Sequence, residues 1–149
     1  MTDAATDTSL ALRLSSGRTG SAFITLLVGV VAGCWVGYVL VYPVSSLPLP
    51  RYTLAGVVVL GYYLDYFAES MLARLLTVFG ASAVAYVVGF AGYAFPALVG
   101  WYADPLVRRS LYFSGLREAF LFSLMAMTLL LVGTFVSYIV RNTYAEFTR

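Results

Sequence analysis

The chain has 149 residues, 61% of them hydrophobic, 16% aromatic and 11% charged, with nine basic against seven acidic residues and a formal charge of +2. A mean hydropathy of +0.87 exceeds what a water-soluble domain tolerates, and a chain this short is expected to form one compact unit with no separate soluble domain. The small net charge gives no footing for a nucleic-acid partner, and the absence of histidine removes the commonest metal ligand and excludes hydrolase triads built on it.

Four stretches carry no charge: residues 19–50, 52–64, 75–103 and 119–140. A hydrocarbon core ~30 Å thick needs roughly 20 apolar helical residues, and the first, third and fourth stretches exceed that. The expected fold is therefore all-α, an integral membrane helical bundle of four transmembrane helices joined by short loops. In chain order it begins with a short polar, disordered tail over residues 1–19, rich in Thr, Ser and Ala. The apolar run behind that tail is too long for a secretory signal, whose apolar core covers about 7 to 15 residues, so it is expected to stay as a span over residues 20–43.

Pro43, Pro48 and Pro50 end that span by removing backbone donors and forcing preceding residues out of helical geometry. The second span, over residues 52–70, reaches crossing length only by taking Asp65 and Glu69 into or beside the membrane. The alternative lays residues 51–72 on the surface or makes them re-entrant, which leaves three spans. The third span covers residues 74–101, with Pro96 as a kink or unwinding point near its end. Asp104 as cap and Pro105 at the first helical position then open the fourth helix, which begins with an amphipathic segment over residues 104–115. The fourth span follows over residues 117–140, and a short polar tail over residues 141–149.

Aromatic placement supports four spans, because Tyr and Trp collect where hydrocarbon meets headgroups. Tyr38, Tyr42, Tyr52, Trp101, Tyr102 and Tyr112 fall at one interface, and Tyr62, Tyr63, Tyr66, Tyr138 and Tyr144 toward the other. Arginine placement orients the bundle only slightly: Arg18 and Arg141 beside their spans favour cytoplasmic termini in a multi-pass cell-membrane protein, while Arg108 and Arg109 pull the other way.

Gly29, Gly33 and Gly37 recur every four residues in the first span, and Ala81, Ala85 and Gly89 form a similar strip in the third. Such strips let helices approach backbone to backbone, within one chain, between subunits, or around a pore or lipid groove. Cys34 lies among Val, Ala and Trp and is expected to be an inert buried thiol. Arg108, Arg109 and Arg117 surround Leu111, Tyr112, Phe113 and Leu116, a pattern for a segment on the membrane surface. It either anchors helix ends by snorkelling or contacts lipid headgroups or a partner.

Asp65 and Glu69 are spaced i to i+4, which puts both carboxylates on one helical face, one turn after Gly61. Facing a bundle interior, they would bind a cation or carry a proton. At the helix end they would instead sit at the water interface, where charge is cheap, with Arg74 as a loose partner. Arg51, Gly61, Asp65 and Glu69, separated by nine, three and three residues, resemble the second half of the motif in CDP-alcohol phosphotransferases, enzymes that hold metal ions with four acids to move a phospho-alcohol group. The resemblance covers less than a fifth of the chain. Where that pattern needs two further Asp and a Gly, this sequence has Pro43, Ser46 and Leu47, and Glu69 replaces the last Asp, so a two-metal site lacks half its ligands. Intramembrane-protease motifs, Gly-rich phosphate loops and paired cysteines do not occur, so neither a cofactor nor a metal is expected.

The expected function is that of a non-enzymatic interaction or accessory subunit of a membrane complex, whose partners are membrane lipids and either further copies of itself or other membrane proteins. The alternative is a homo-oligomeric ion- or proton-coupled transporter or channel that uses Asp65 and Glu69.

Overall fold

The computed structural model describes residues 18–41, 50–68 and 70–147. Four helices take up nearly all of them: α1 (Arg18–Val41), α2 (Pro50–Tyr66), α3 (Met71–Leu98) and α4 (Pro105–Phe147), with no strand among the described residues. α1, α3 and α4 are long and apolar enough to cross a membrane. α2 has 17 residues, about 25 Å of helix against a core of ~30 Å. Residues 1–17, Pro43, Pro48 and Glu69 lie outside the described residues.

Local chemistry explains the helix ends. Ser70 is extended and its Oγ accepts a hydrogen bond from the Ala73 N–H at 3.2 Å, which starts α3. At the other end Gly100 takes a left-handed φ of 80°, the Trp101 N–H donates to the Pro96 carbonyl at 3.0 Å, and the Gly100 N–H donates to Ala97 at 3.4 Å. That paired pattern closes a helix on a glycine. The third helix therefore ends at Leu98 rather than at residue 101, and Pro96 sits within its last turn. Asp104 caps α4, with Oδ1 accepting from the Leu106 N–H at 2.8 Å.

Contacts along the helices fix their directions. Gly29 lies against Ala81 and Val84, Gly33 against Ala85 and Val88, and Gly37 against Gly89, so α1 and α3 run parallel. Tyr93 meets Ser114 and Gly115, Tyr86 meets Phe120, and Arg74 meets Tyr138, so α3 and α4 run antiparallel. α2 packs chiefly on α4 and runs parallel to it, from Gly61 beside Leu130 and Gly133 to Asp65 beside Arg141. Neighbours in space thus follow the order α1, α3, α4, α2. The core cluster includes Val28 and Val36 of α1, Val57 and Leu64 of α2, Val78 and Ala81 of α3, and Ala126 and Leu130 of α4. Large apolar side chains such as Phe23, Leu27, Phe79, Val87, Phe120 and Phe135 point outward, as expected where the surroundings are hydrocarbon rather than water.

The amphipathic segment over residues 104–115 and the span over 117–140 belong to one continuous helix, and Gly115 is buried under the Tyr93 ring, where a Cβ would collide with it. Two expectations change. The helix continues through the expected tail to Phe147, so α4 has 43 residues and is about 64 Å long, twice a hydrocarbon core. Cys34 is exposed, not buried. Successive helical residues are turned by about 100°, so the face presenting Gly33 to α3 turns Cys34 outward, and apolar neighbours in sequence do not imply an interior position in a lipid-facing helix.

Candidate functional site

Asp65 sits near the end of α2 and is completely buried. Its Oδ1 lies 2.8 Å from Nε of Arg74 in the first turn of α3, and its Oδ2 lies 3.7 Å from Nη1 of Arg141 on α4. The chain bends after Tyr66, where the Phe67 and Ala68 N–H groups donate to the Leu64 and Asp65 carbonyls, and Arg74 lies beside the carboxylate in the first turn of α3, while the parallel packing of α2 on α4 brings Arg141 to the same end. The Arg74 guanidinium stands 5.1 Å above the centre of the Tyr138 ring, which adds a cation–π contact from α4. Three helices are thus tied together at one end of the bundle.

The two arginines contribute unequally. Arg74 is 15% exposed and Arg141 53% exposed. The Arg74 N–H is not aligned with the nearby oxygen, so the contact is a charge pair without a directed hydrogen bond. A buried carboxylate costs several kcal/mol to desolvate unless a cation compensates it, and Arg74 supplies that compensation. The expectation of Asp65 at a water-exposed helix end with a loose partner is therefore corrected: burial by α3 and α4 makes the pairing tight. Glu69, its expected companion, lies outside the described residues.

One turn before Asp65, α2 and α4 cross at close range. A Cβ on Gly61 would overlap the Leu130 carbonyl oxygen, and one on Gly133 would overlap the Val58 carbonyl oxygen. Beside this crossing, the Thr134 hydroxyl bridges the Leu130 carbonyl of its own helix at 2.8 Å and the Gly61 carbonyl of α2 at 3.2 Å. Between α3 and α4 a cleft of about 170 Å³ opens beside the cluster, walled by Met71, Leu75, Leu131 and Phe135, with Arg74 and Tyr138 among its lining.

The other residues singled out lie elsewhere. Gly29, Gly33 and Gly37 face Ala81, Ala85 and Gly89 within the same chain, where a Cβ on Gly33 would stand 2.6 Å from the Cβ of Val88. Arg108, Arg109 and Arg117 are on the N-terminal part of α4, at the end opposite Asp65. Arg108 Nη2 donates to the Ala103 carbonyl at 3.3 Å, Arg109 lies 6.0 Å from the Phe113 ring centre, and Arg117 pairs with Glu118 at 2.6 Å. Among the described residues, no group of three or more His, Cys, Asp or Glu side chains is placed to hold a metal ion.

Arg141, Gly133 and Thr134 were not singled out from the sequence as parts of this cluster. The four-span order did place Asp65, Arg74 and Arg141 at a single end, which was the available signal. Nothing local marked Gly133, which sits alone in a Leu-, Val- and Phe-rich run. Comparison with known protein families, curated proteins and solved structures finds no match to this chain.

Proposed function

We propose that the protein is a four-span, non-catalytic subunit of a membrane complex, working through its apolar outer faces among lipids and neighbouring membrane proteins. The observation that carries this reading is the state of Asp65. An acid that handles ions must have charge to offer a cation, and this one is already matched by Arg74 at 2.8 Å with Arg141 beside it. What remains of the cluster is a clamp between helices.

The parallel packing of α1 on α3 supports the fourth crossing. If both helices span the membrane and both start on one side, the chain between them has to cross back, and α2 is the helix available to do so. Both termini then lie on one side, which we take to be the cytoplasmic face of the cell membrane.

Native mass spectrometry of the protein gently extracted from its own membrane tests the proposal. A stoichiometric foreign membrane subunit is the expected result. A pure homo-oligomer whose ion flux in proteoliposomes is abolished by the double variant Asp65→Asn, Glu69→Gln would overturn the proposal in favour of a transporter or channel.

A further inference from the structure

The geometry points to a binding site for one anionic phospholipid at the Asp65 end of the bundle, with part of an acyl chain in the cleft between α3 and α4 and the phosphate at Arg74 and Arg141. The charges favour an anion. Among the described residues, Arg74 and Arg141 converge on a single carboxylate, so this cluster has one guanidinium more than it has carboxylates, beside the apolar cleft. Glu146, the other acidic side chain described at this end, is exposed on the last turn of α4 and is not paired with either arginine.

The shape fits the same ligand. Arg74 belongs both to the ion cluster and to the lining of the cleft, so the cation stands beside the apolar walls formed by Met71, Leu75, Leu131 and Phe135. The volume of about 170 Å³ is close to the ~150 Å³ engineered apolar cavity that takes up benzene, so the cleft accommodates a stretch of about six carbons rather than a whole tail. Arg141, half exposed at the bundle surface, can pair with a phosphate oxygen while Arg74 keeps its hold on Asp65. The outer rim of the cleft is formed by exposed residues, including Met71 and Leu75, which leaves a side entrance for a lipid from the surrounding leaflet.

The test is native mass spectrometry of the full chain equilibrated with mixed micelles of phosphatidylglycerol and phosphatidylcholine in equal amounts. Wild type should retain a single phosphatidylglycerol in clear preference to phosphatidylcholine. Arg141→Gln leaves the Asp65–Arg74 pair in place and should cut that preference about fivefold, the effect of one basic residue at an anionic lipid surface. Leu75→Trp fills the cleft without touching a charge and should lower retention of both lipids, with thermal unfolding monitored to confirm that each variant is folded. Equal retention of the two lipids by wild type, or an undiminished preference in both folded variants, would overturn the assignment.

Discussion

The carboxylate of Asp65, at the end of α2, stands 2.8 Å from the Arg74 guanidinium in the first turn of α3, and no part of Asp65 reaches the surface. The pair joins α2 to α3 and is covered by α4, whose Tyr138 ring lies under the same guanidinium at 5.1 Å. α2 makes few contacts with α3, so this ion pair and the packing of both helices on α4 hold α2 to α3.

Breaking the pair from one side should cost more than removing both partners. Asp65→Asn leaves Arg74 without its anion, and Arg74→Gln leaves a buried carboxylate, so each single variant should lose about 3–5 kcal/mol of stability. The double variant should recover a large part of that loss, because neither charge remains stranded. Arg141→Gln should cost about 1 kcal/mol or less, since that side chain is half exposed and its contact with the carboxylate is longer. Unfolding titrations in detergent supply all four numbers, and strictly additive losses would remove the case for coupling.

Along the α1–α3 strip the glycines should differ. Gly33→Ala forces a new methyl to within 2.6 Å of the Val88 Cβ and 3.0 Å of the Ala85 carbonyl oxygen, so the helices must part, at a cost of about 1–3 kcal/mol. Gly37→Ala meets nothing nearer than 3.6 Å, an ordinary contact, and should be neutral or slightly stabilising because alanine is the better helix former. Thermal unfolding of the two variants side by side distinguishes them, and equal losses would show that the strip does not pack at this register.

The proposed four-span topology makes a separate prediction about the side of the membrane each segment faces. In a chain whose Cys34 is replaced by Ala, single cysteines at Thr2 and Thr148 should react with a membrane-impermeant maleimide from one side of sealed vesicles, and one at Ser46 from the opposite side. Labelling of Thr148→Cys from the same side as Ser46→Cys, opposite to Thr2→Cys, would place α2 on the surface and leave three crossings.

How much of this was legible from sequence depends on whether the signal was local. Charge-free length located α1, α3 and the apolar part of α4, because crossing a bilayer is a property of one helix alone. The Asp104 cap and the four-residue glycine repeat are likewise written in neighbouring residues. The ion cluster was legible only in part: four spans put Asp65, Arg74 and Arg141 at one end, with Arg74 as a partner for Asp65, but the approach of Arg141 depends on α2 packing against α4, which no periodicity specifies. Gly115 shows the same limit: nothing beside it in sequence marks that it makes room for the Tyr93 ring of another helix.

The α2–α4 crossing should be the point most sensitive to small changes. Gly133→Ala drives a methyl into the Val58 carbonyl and brings it within 2.9 Å of the Tyr62 backbone nitrogen, and both neighbours are main chain that cannot swing aside as a side chain could. The expected loss is about 3 kcal/mol, at the upper end of overpacking costs. Thr134→Val keeps the volume nearly constant and removes only the hydroxyl shared between the Leu130 and Gly61 carbonyls, so it should cost about 0.5–1 kcal/mol, the usual size of an interhelical hydrogen bond within a membrane. Because the crossing lies one turn from Asp65, parting the helices at Gly133 should also loosen the ion cluster. Proteolysis of the detergent-solubilised protein should then cut between α2 and α3 faster in Gly133→Ala than in Thr134→Val. Equal cutting rates in the two variants would mean that crossing and clamp are independent.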